Sequence, residues 1–190
     1  RLAGKSLLIN VINHRKQVVS IRNIVWTTCL HLAHMRFYIS NFVRRTWESG
    51  EIPWQNSRVV FPVCELSPLT PLPIGERSGF VFLARWIENK GLDTLVQAYA
   101  NANLDPLRFP LRLLGSGPLW SRIKTKVVQL GLKGVIMPGF IGEHEKAELI
   151  RISRFAVIPP NTSEDFGLVA IEARHLGLPC IITTDGGLPE

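Results

Sequence analysis

The chain has 190 residues, of which 46% are hydrophobic and 19% are charged, a composition that excludes an intrinsically disordered or low-complexity chain. This length accommodates one domain, or one domain together with part of another. The apolar runs at 6–12 and 24–39 are too short, or too often interrupted by Thr and His, to supply the ~20 residues of a transmembrane helix.

The cysteine and histidine content argues against a disulfide framework and against a metal site. Cys29, Cys64 and Cys180 are odd in number, widely spaced and without a Cys-x-x-Cys pair. His31 and His34 could share one face of a helix, but they form no metal-ligand pattern with other residues. We therefore expect a reducing compartment, and our hypothesis for the localisation is the cytoplasm.

Positive charge is concentrated in the first 60 residues, where nine Lys and Arg face only Glu48 and Glu51. A basic block of this kind favours a phosphorylated substrate, nucleic acid or an anionic membrane as partner, although dispersed charges are also typical of a solvated helical face. Because the block has no clustered Lys and Arg with interleaved aromatic residues, we expect no nucleic-acid partner. Peripheral contact of residues 1–60 with the cytoplasmic face of an anionic membrane is our hypothesis for this block.

The first part of the chain is predicted to be mostly helical. Residues 5–46 have helical spacing with few breakers, which predicts one or two helices, and the segment 49–54 then interrupts the pattern. A short β-rich run follows at 58–63. The prolines at 68, 71 and 73 come next, and they mark the best candidate for a domain boundary.

From Gly79 onward, apolar runs alternate with helix-like segments, which predicts an α/β fold with a Rossmann-like parallel sheet covered by helices on both faces. Ligands bind to such sheets outside the carboxyl ends of the strands. The predicted strands are 79–84, 111–115, 134–139, 155–160 and 179–184, and the predicted helices are 91–102, 119–130, 143–152 and 166–176.

Two of the predicted strand-to-helix loops carry groups suited to an anion. Arg85 and Lys90 flank the loop after the first strand of this region, where a guanidinium and an ammonium suit a diphosphate, although surface Arg and Lys are common. The second loop contains Gly115, Ser116, Gly117 and Pro118. Its glycines let a ligand approach the backbone, but a tight turn alone would also explain them.

The densest group of candidate residues lies at 159–173. Ser163 is the expected N-cap of the following helix, with Glu164 and Asp165 at its positive end. Gly167 removes a side chain where a ligand could rest on backbone amides. Glu172 follows Glu164 by eight residues, so the two carboxylates can converge only if Glu164 lies in the loop before the helix. Dipole compensation and a plain surface charge remain the alternatives for these two residues.

Four segments of the chain stand out together: FLARWIENKGLDTLVQAYA, LRLLGSGPL, LGLKGVIMPGFI and EDFGLVAIEARHLGLPCIITTDGGLPE. In this order they resemble the carboxyl-terminal, donor-binding domain of family 4 (group 1) retaining glycosyltransferases, which have the GT-B fold. The resemblance is strong over about 78–190, and residues 37–63 more weakly resemble the end of the family's amino-terminal domain. Ala84 departs from the Gly that is usual there, and Ser116, Arg174 and His175 are further departures.

The resemblance implies a role for each candidate residue in transferring a hexose from a nucleotide-diphosphate sugar to an unknown acceptor. Arg85 and Lys90 would hold the diphosphate, Glu164 would lie near the hydroxyls of the transferred sugar, and Arg85, Lys90 and Glu164 would be the catalytic residues. Glu172 would bind the ribose and Gly117 would lie beside the nucleotide. No metal or other cofactor is expected, because the cations neutralise the leaving diphosphate. The backbone amides that would meet the sugar and the phosphate belong to Phe166, Gly167, Leu168 and Val169.

The resemblance also implies an incomplete enzyme. Residues 1–63 would be the partial end of the acceptor-side domain, 64–77 a Pro-rich linker, and 78–190 a nucleotide-sugar-binding domain incomplete at its carboxyl end. The chain begins at Arg1 without Met and stops at Glu190 in a turn-like sequence, so we expect both ends to be cut from something longer. Such a fragment would bind its donor weakly and turn over poorly. The alternative is a non-catalytic nucleotide-binding or scaffold domain derived from such an enzyme.

Overall fold

The computed structural model describes residues 6–13, 21–48, 56–63 and 69–190. The chain forms two compact units. Unit 1 comprises Arg1–Val63, Ser163–Gly167 and Asp185–Glu190, and unit 2 comprises Cys64–Thr162 and Leu168–Thr184. No helix within the described ranges is long and apolar enough to cross a membrane.

The amino-terminal part of unit 1 is a small parallel sheet with two helices. The strands are adjacent in chain order, with Leu8 opposite Met35 and Arg36 opposite Ser57. Val11, Leu30, Tyr38, Val43 and Trp47 form its buried core. The elements are β1 (Leu8–Val11), α1 (Ile21–Leu32), β2 (Met35–Tyr38), α2 (Asn41–Glu48) and β3 (Ser57–Val59).

The prediction of a mostly helical segment needs a correction here. The two predicted helices are present as α1 and α2, but β1 and β2 lie where the sequence predicted only helix. β1 is an apolar run of four residues, and such a short run does not distinguish a strand from a helix. In β2 the alternation is hidden because the charged Arg36 occupies a buried position and the apolar Met35 and Phe37 occupy less buried ones.

A buried carboxylate, that of Glu48, joins the elements of this sheet. Its Oε1 accepts a hydrogen bond from Nε of Arg36 on β2 at 3.0 Å. Its Oε2 accepts from Nε of Arg44 on α2 at 3.0 Å and from Oγ of Ser57 on β3 at 3.1 Å. Burial and the neighbouring Glu48 raise the pKa of Tyr38. Because a buried charge left without its partner typically costs 3–5 kcal/mol, this cluster fixes how α2 lies on the strands.

Unit 2 contains a five-stranded parallel sheet, in which β4 is central and the strand order is β6-β5-β4-β7-β8. The chain runs outward from β4 to β6 on one side and returns to β7 and β8 on the other. The structure thus confirms the predicted Rossmann-like sheet. The strands are β4 (Phe80–Leu83), β5 (Leu111–Leu114), β6 (Val135–Gly139), β7 (Phe155–Ile158) and β8 (Cys180–Ile182), and the helices are α3 (Leu92–Ala102), α4 (Trp120–Gln129), α5 (Glu143–Arg151) and α6 (Leu168–His175).

Alternate side chains of the strands feed two separate cores, one on each face of the sheet. On β4, Phe82 packs with Leu92 of α3 and Ile123 of α4. Its neighbour Val81 packs instead with Ile150 of α5 and Ala173 of α6. Because both faces of the sheet are covered, the carboxyl edge is left as the place where loops of several strands meet.

Two ion pairs join α3 to α4 on one of these faces. Oδ2 of Asp93 lies 2.8 Å from Nζ of Lys126, and Oδ1 of Asp93 lies 3.3 Å from Nη2 of Arg122. The hydrogen bond from Lys126 lowers the pKa of Asp93 from its ordinary value of 3.8, against a smaller opposing effect of burial. The ionised carboxylate therefore stabilises the contact between the two helices.

Asp93→Asn is expected to destabilise the chain at neutral pH, with a loss that fades in acid. Since the folded-state pKa of Asp93 is depressed, its contribution is present above 3.8 and disappears as the pH falls through the folded-state value. Urea unfolding of both proteins at pH 7 and at pH 3 measures the difference. The exposed Glu76→Gln variant is the control, and an equal loss for Asp93→Asn at both pH values would contradict the assignment.

Candidate functional site

In the parallel sheet of unit 2, the order in which the strands are added reverses at β4. The connection from β4 leads to β5 on one side, whereas β7 pairs with β4 on the other. In open parallel sheets such a switch point leaves a crevice outside the strand ends, because the neighbouring loops run to opposite faces. The loops that follow β4, β5 and β7 are therefore the ones that build a site here.

The loop after β4 is fixed against the loop after β5. The Trp86 backbone N–H donates to the Ser116 carbonyl at 2.9 Å, and the Leu119 N–H donates to the Trp86 carbonyl at 3.1 Å. A Cβ at Gly115 would collide with the Ala84 carbonyl, and one at Gly117 would lie 2.6 Å from the Trp86 carbonyl. The glycines of this turn thus have a packing reason, and a ligand is not needed to explain them.

Trp86 anchors this double loop from inside. Its side chain is fully buried, donates from Nε1 to the Leu114 carbonyl at 3.3 Å and stacks on Trp120 with ring centroids 4.9 Å apart. Its neighbour Arg85 is exposed and forms no ion pair with another residue of the described part of the chain. The backbone beside Arg85 is therefore fixed by Trp86, and no acidic side chain of the described residues pairs with the Arg85 guanidinium.

A second contact fixes the end of the β4 loop that carries Lys90. Residues Glu88–Lys90 form one turn of 3-10 helix, which ends at Gly91 in the left-handed region with φ +69°. A Cβ at Gly91 would collide with the Pro159 carbonyl of the loop after β7. Asn161 completes the contact, because its backbone N–H donates to the Asn89 carbonyl at 3.0 Å and its Nδ2 to the Glu88 carbonyl at 3.1 Å.

Glu172 lies on α6 in unit 2 and is not a simple surface charge. Its side chain is 25% exposed, but its Oε2 is buried and has no hydrogen-bond partner among the described residues. Nζ of Lys146 on α5 lies 3.6 Å from that oxygen. The alternative interpretation of Glu172 as a solvated residue is therefore not supported.

Glu164 belongs to unit 1 and lies in the loop before α6. This is the position that the sequence analysis required if Glu164 and Glu172 were to converge. It forms an isolated parallel bridge with Gly186, and the Gly187 N–H donates to the Glu164 carbonyl at 2.7 Å. A Cβ at Gly186 would lie 2.6 Å from the backbone nitrogen of Glu164. The Asp-Gly-Gly turn near the end of the chain thus supports the backbone of Glu164.

Side chains of unit 1 hold the two residues that follow Glu164 in the loop before α6. Oγ of Ser40 donates to the Asp165 carbonyl at 2.7 Å, and the ring of Phe166 stacks on Phe61 with centroids 5.4 Å apart. Gly167 has φ +93°, and a Cβ there would lie 3.1 Å from the side chain of Leu188. The space beside Gly167 is therefore occupied by protein.

The carboxylate of Glu190 binds the amino-terminal end of α2 within unit 1. The backbone N–H of Asn41 donates to Oε2 and that of Phe42 donates to Oε1, each at 2.6 Å. Nη2 of Arg45 lies 3.7 Å from Oε1. Two of the N–H groups that every helix leaves unpaired at its start are satisfied in this way.

The prediction that Ser163 is a helix N-cap is wrong. α6 begins at Leu168, five residues later, and Oγ of Ser163 donates instead to Oδ2 of Asp185 at 3.0 Å. Glu164 and Asp165 likewise precede the first turn of α6, so they are not in place to compensate its dipole. The helix begins late because Gly167, in the left-handed region, interrupts the helical backbone.

The structure divides the predicted site residues between its two units. Arg85, Lys90, Gly117, Leu168, Val169 and Glu172 belong to unit 2, and Glu164, Phe166 and Gly167 belong to unit 1. Sequence reasoning missed the supporting roles of Trp86, Asn161 and Lys146. The one available signal was the position of Trp86 between two charged candidates, since a large apolar residue there indicates an anchored loop.

Other regions offer less to an anionic ligand or a metal. A groove of about 550 Å³ beside α3 and α4 contains Arg122 and Lys126, but both cations already pair with Asp93. Among the residues that the structure describes, no three His, Cys, Asp or Glu side chains form a cluster suitable for a metal ion. The carboxyl edge remains the strongest candidate in unit 2.

Comparison with known proteins identifies a family that matches more than half of the chain. The family model described as glycosyl transferases group 1 matches residues 72–190. A curated relative, the putative colanic acid biosynthesis glycosyltransferase WcaL of Escherichia coli, is 32% identical over 130 residues. That alignment covers 65% of this chain and 30% of WcaL, so the chain spans about a third of the length of this relative.

Solved structures resemble the whole described fold. Anabaena HepE, solved in complex with UDP-glucose, superposes with a TM-score of 0.79 at 16% identity, covering 96% of this chain and 54% of that chain. Sucrose-phosphate synthase from Thermosynechococcus elongatus gives a TM-score of 0.76 at 25% identity, covering 95% and 51%. The likeness to HepE concerns the fold.

Gly91→Ala is expected to destabilise the chain by about 2 kcal/mol or more, because the left-handed backbone and the collision with Pro159 both oppose a side chain. Gly75→Ala is the matched control, since Gly75 has open space around it and should change stability by no more than about 0.5 kcal/mol. Urea denaturation measures both. Equal stability of the two variants would contradict the close approach of the β4 and β7 loops.

Proposed function

Since the chain belongs to the group 1 glycosyl transferases, we propose that it serves in transferring a hexose from a nucleotide-diphosphate sugar to an acceptor, with retention of configuration at the transferred carbon. The observation that carries the proposal is the rigid carboxyl edge of unit 2, where Arg85 and Lys90 lie on a loop fixed from both sides. Because this chain spans about a third of its relative WcaL, the proposal concerns its share of a donor site.

The two cations of the β4 loop suit the diphosphate. In this reaction the bond between the sugar and the diphosphate breaks, and negative charge develops on the departing phosphate oxygen. A guanidinium and an ammonium already held in position stabilise that charge without reorganising. Arg85 lies next to the buried Trp86, and Lys90 next to Gly91, so each cation is adjacent to a residue that the packing fixes.

The remaining roles follow from the resemblance and from the chemistry of the groups. A carboxylate such as that of Glu172 accepts hydrogen bonds from the ribose hydroxyls, and Glu164 would do the same for hydroxyls of the sugar. Gly117 would border the nucleotide, at a turn that has no side chain to obstruct it. The amides of Phe166, Gly167, Leu168 and Val169 would face the sugar and phosphate, since N–H groups at the start of a helix are unpaired.

The donor is proposed to be a nucleotide sugar used without a metal. HepE was solved with UDP-glucose, which supports a nucleotide sugar as the ligand of this fold and makes UDP the first probe. The absence of a required metal is part of the proposal, and it rests on the ability of Arg85 and Lys90 to neutralise the diphosphate. The sugar and the acceptor depend on contacts that the proposal does not specify.

Membrane contact of residues 1–60 is not part of the proposal. Of the nine cations in that segment, Arg36 is buried against Glu48, and Arg44 pairs with the same carboxylate. Arg1, Lys5, Arg15 and Lys16 lie outside the described residues. Two of the nine cations are therefore engaged within the protein, and membrane contact stays a prediction from the sequence.

The non-catalytic alternative makes a different prediction for binding. A scaffold domain that kept the fold but lost the donor would not respond to nucleotide sugars. Glu172, Arg85 and Lys90 are all present in this chain, and a domain freed from donor binding has no need for them. Their presence favours a glycosyltransferase over a scaffold domain, and nucleotide-sugar binding distinguishes the two hypotheses.

Thermal unfolding in the presence of UDP-, GDP- and ADP-sugars tests the proposal, because a ligand that binds only the folded state raises its stability. One nucleotide is expected to give a selective shift. Lys90→Ala and Glu172→Ala should each weaken its binding by about 1–3 kcal/mol, since each removes a charged hydrogen-bonding group. Isothermal titration calorimetry with the selected nucleotide measures this loss.

The controls use the same amino acids at positions away from the carboxyl edge. Lys133→Ala changes an exposed lysine that precedes β6, at the amino end of the strand, and Glu145→Ala changes an exposed glutamate on α5. Both should retain binding. A folded wild-type chain that responds to none of the nucleotide sugars would sink the proposal and favour the scaffold domain. Equal binding by Lys90→Ala, Glu172→Ala and the controls would remove the site assignment but leave the activity.

A further inference from the structure

A cation on α5 reaches the candidate ribose-binding glutamate of α6 inside unit 2. Nζ of Lys146 lies 3.6 Å from Oε2 of Glu172 and 2.5 Å from Oε2 of Glu143, one turn earlier on its own helix. The two carboxylates differ sharply in environment, because the side chain of Glu143 is 87% exposed and that of Glu172 is 25% exposed. Lys146 thus joins a solvated carboxylate to a largely buried one.

Oε2 of Glu172 depends on this cation. The atom is buried and accepts no hydrogen bond from any residue in the described ranges, so its charge is stabilised by no donor within hydrogen-bond distance there. A buried carboxylate oxygen without a partner is costly. The ammonium of Lys146 offsets that cost by its charge. Because Oε2 is buried, it is not part of the exposed surface of the Glu172 side chain. The other carboxylate oxygen, Oε1, is therefore the one that a ligand can reach.

The protonation of Lys146 fits this role. Burial by itself lowers the pKa of Lys146, but the hydrogen bond to Glu143 and the charges of Glu172 and Glu143 together outweigh burial and raise it. The side chain therefore stays positively charged at neutral pH. Glu143 keeps the ammonium in place from the solvent side, and Glu172 is approached from the interior side.

We infer that Lys146 is a positioning residue for Glu172: it holds Oε2 toward the protein interior and so presents Oε1 to a hydroxyl of the nucleotide ribose. The inference rests on the proposed function, since the ribose is the ligand assigned to Glu172 there. A carboxylate fixed by an ion pair loses less rotational freedom when the ligand arrives, and this preorganisation increases affinity. Lys146 itself does not touch the nucleotide in this arrangement.

A double-mutant cycle with two probes tests the inference in the 190-residue chain. The variants are Lys146→Met, Glu172→Gln and the double variant, and the probes are UDP and 2′,3′-dideoxy-UDP, which lacks the ribose hydroxyls. Lys146→Met should weaken UDP binding about tenfold in the wild-type background and less than twofold in the Glu172→Gln background. Affinity for 2′,3′-dideoxy-UDP should not respond to either substitution. If GDP or ADP is the selected nucleotide, it and its dideoxy analogue replace UDP.

Further variants separate positioning from stability and from charge. Lys146→Arg retains the cation and should recover most of the affinity that Lys146→Met loses. Lys124→Met removes an exposed lysine from α4 and should leave UDP binding unchanged. Thermal unfolding monitors each protein, and Lys146→Gln replaces Lys146→Met if the latter does not fold.

The outcomes are distinct. Equal losses from Lys146→Met in both backgrounds, or an equal loss for the dideoxy probe, would mean that Lys146 contacts the ligand directly, and the positioning role would be overturned. Unchanged UDP binding by Lys146→Met beside a clear loss in Glu172→Gln would overturn it too, while leaving the proposed function intact. A wild-type chain without affinity for UDP, GDP or ADP would overturn the proposed function first, and the role of Lys146 with it.

Discussion

The close approach of three loops at the carboxyl edge of unit 2 is the constraint on which the candidate site depends. The backbone at Ala84 and Trp86 leaves no room for a side chain at Gly115 or Gly117, and Pro159 leaves none at Gly91. Carbonyl groups, rather than flexible side chains, occupy these positions, so no small adjustment could relieve a collision. The backbone that carries Arg85 and Lys90 is consequently held in place by its contacts with the β5 and β7 loops.

Apolar burial and ion pairs make different contributions to this structure. Alternating side chains of the central strand form the two cores of unit 2, and this burial supplies the driving force for folding. Charges then determine orientation. Glu48 fixes α2 on its strands by holding two arginines, and Lys146 approaches Glu172 between two helices. In both places one charged side chain serves two neighbours, so a single substitution affects more than one contact.

Much of unit 2 could be predicted because its strands are continuous apolar runs separated by clear helices, and each observed strand and α-helix from β4 to β8 lies within its predicted range. The small sheet of unit 1 escaped prediction because a buried Arg36 inverts the expected pattern of β2 and because β1 is only four residues long. At the site, the charged candidates were visible in the sequence. Their supports were not, since the hydrogen bonds of Asn161 to Glu88 and Asn89 join residues about 70 positions apart. Contacts of this range leave no local pattern.

The binding of Glu190 to α2 has a consequence for the order of events during synthesis. A ribosome releases the chain from its amino end, so Asn41 and Phe42 emerge long before the carboxylate that accepts their N–H groups. Until then those donors are hydrated, and the loop 163–167 that Ser40 and Phe61 hold does not yet exist. Although the strands of unit 1 come early in the chain, the contacts of its helix α2 with Glu190 can form only after residue 190 has been synthesised.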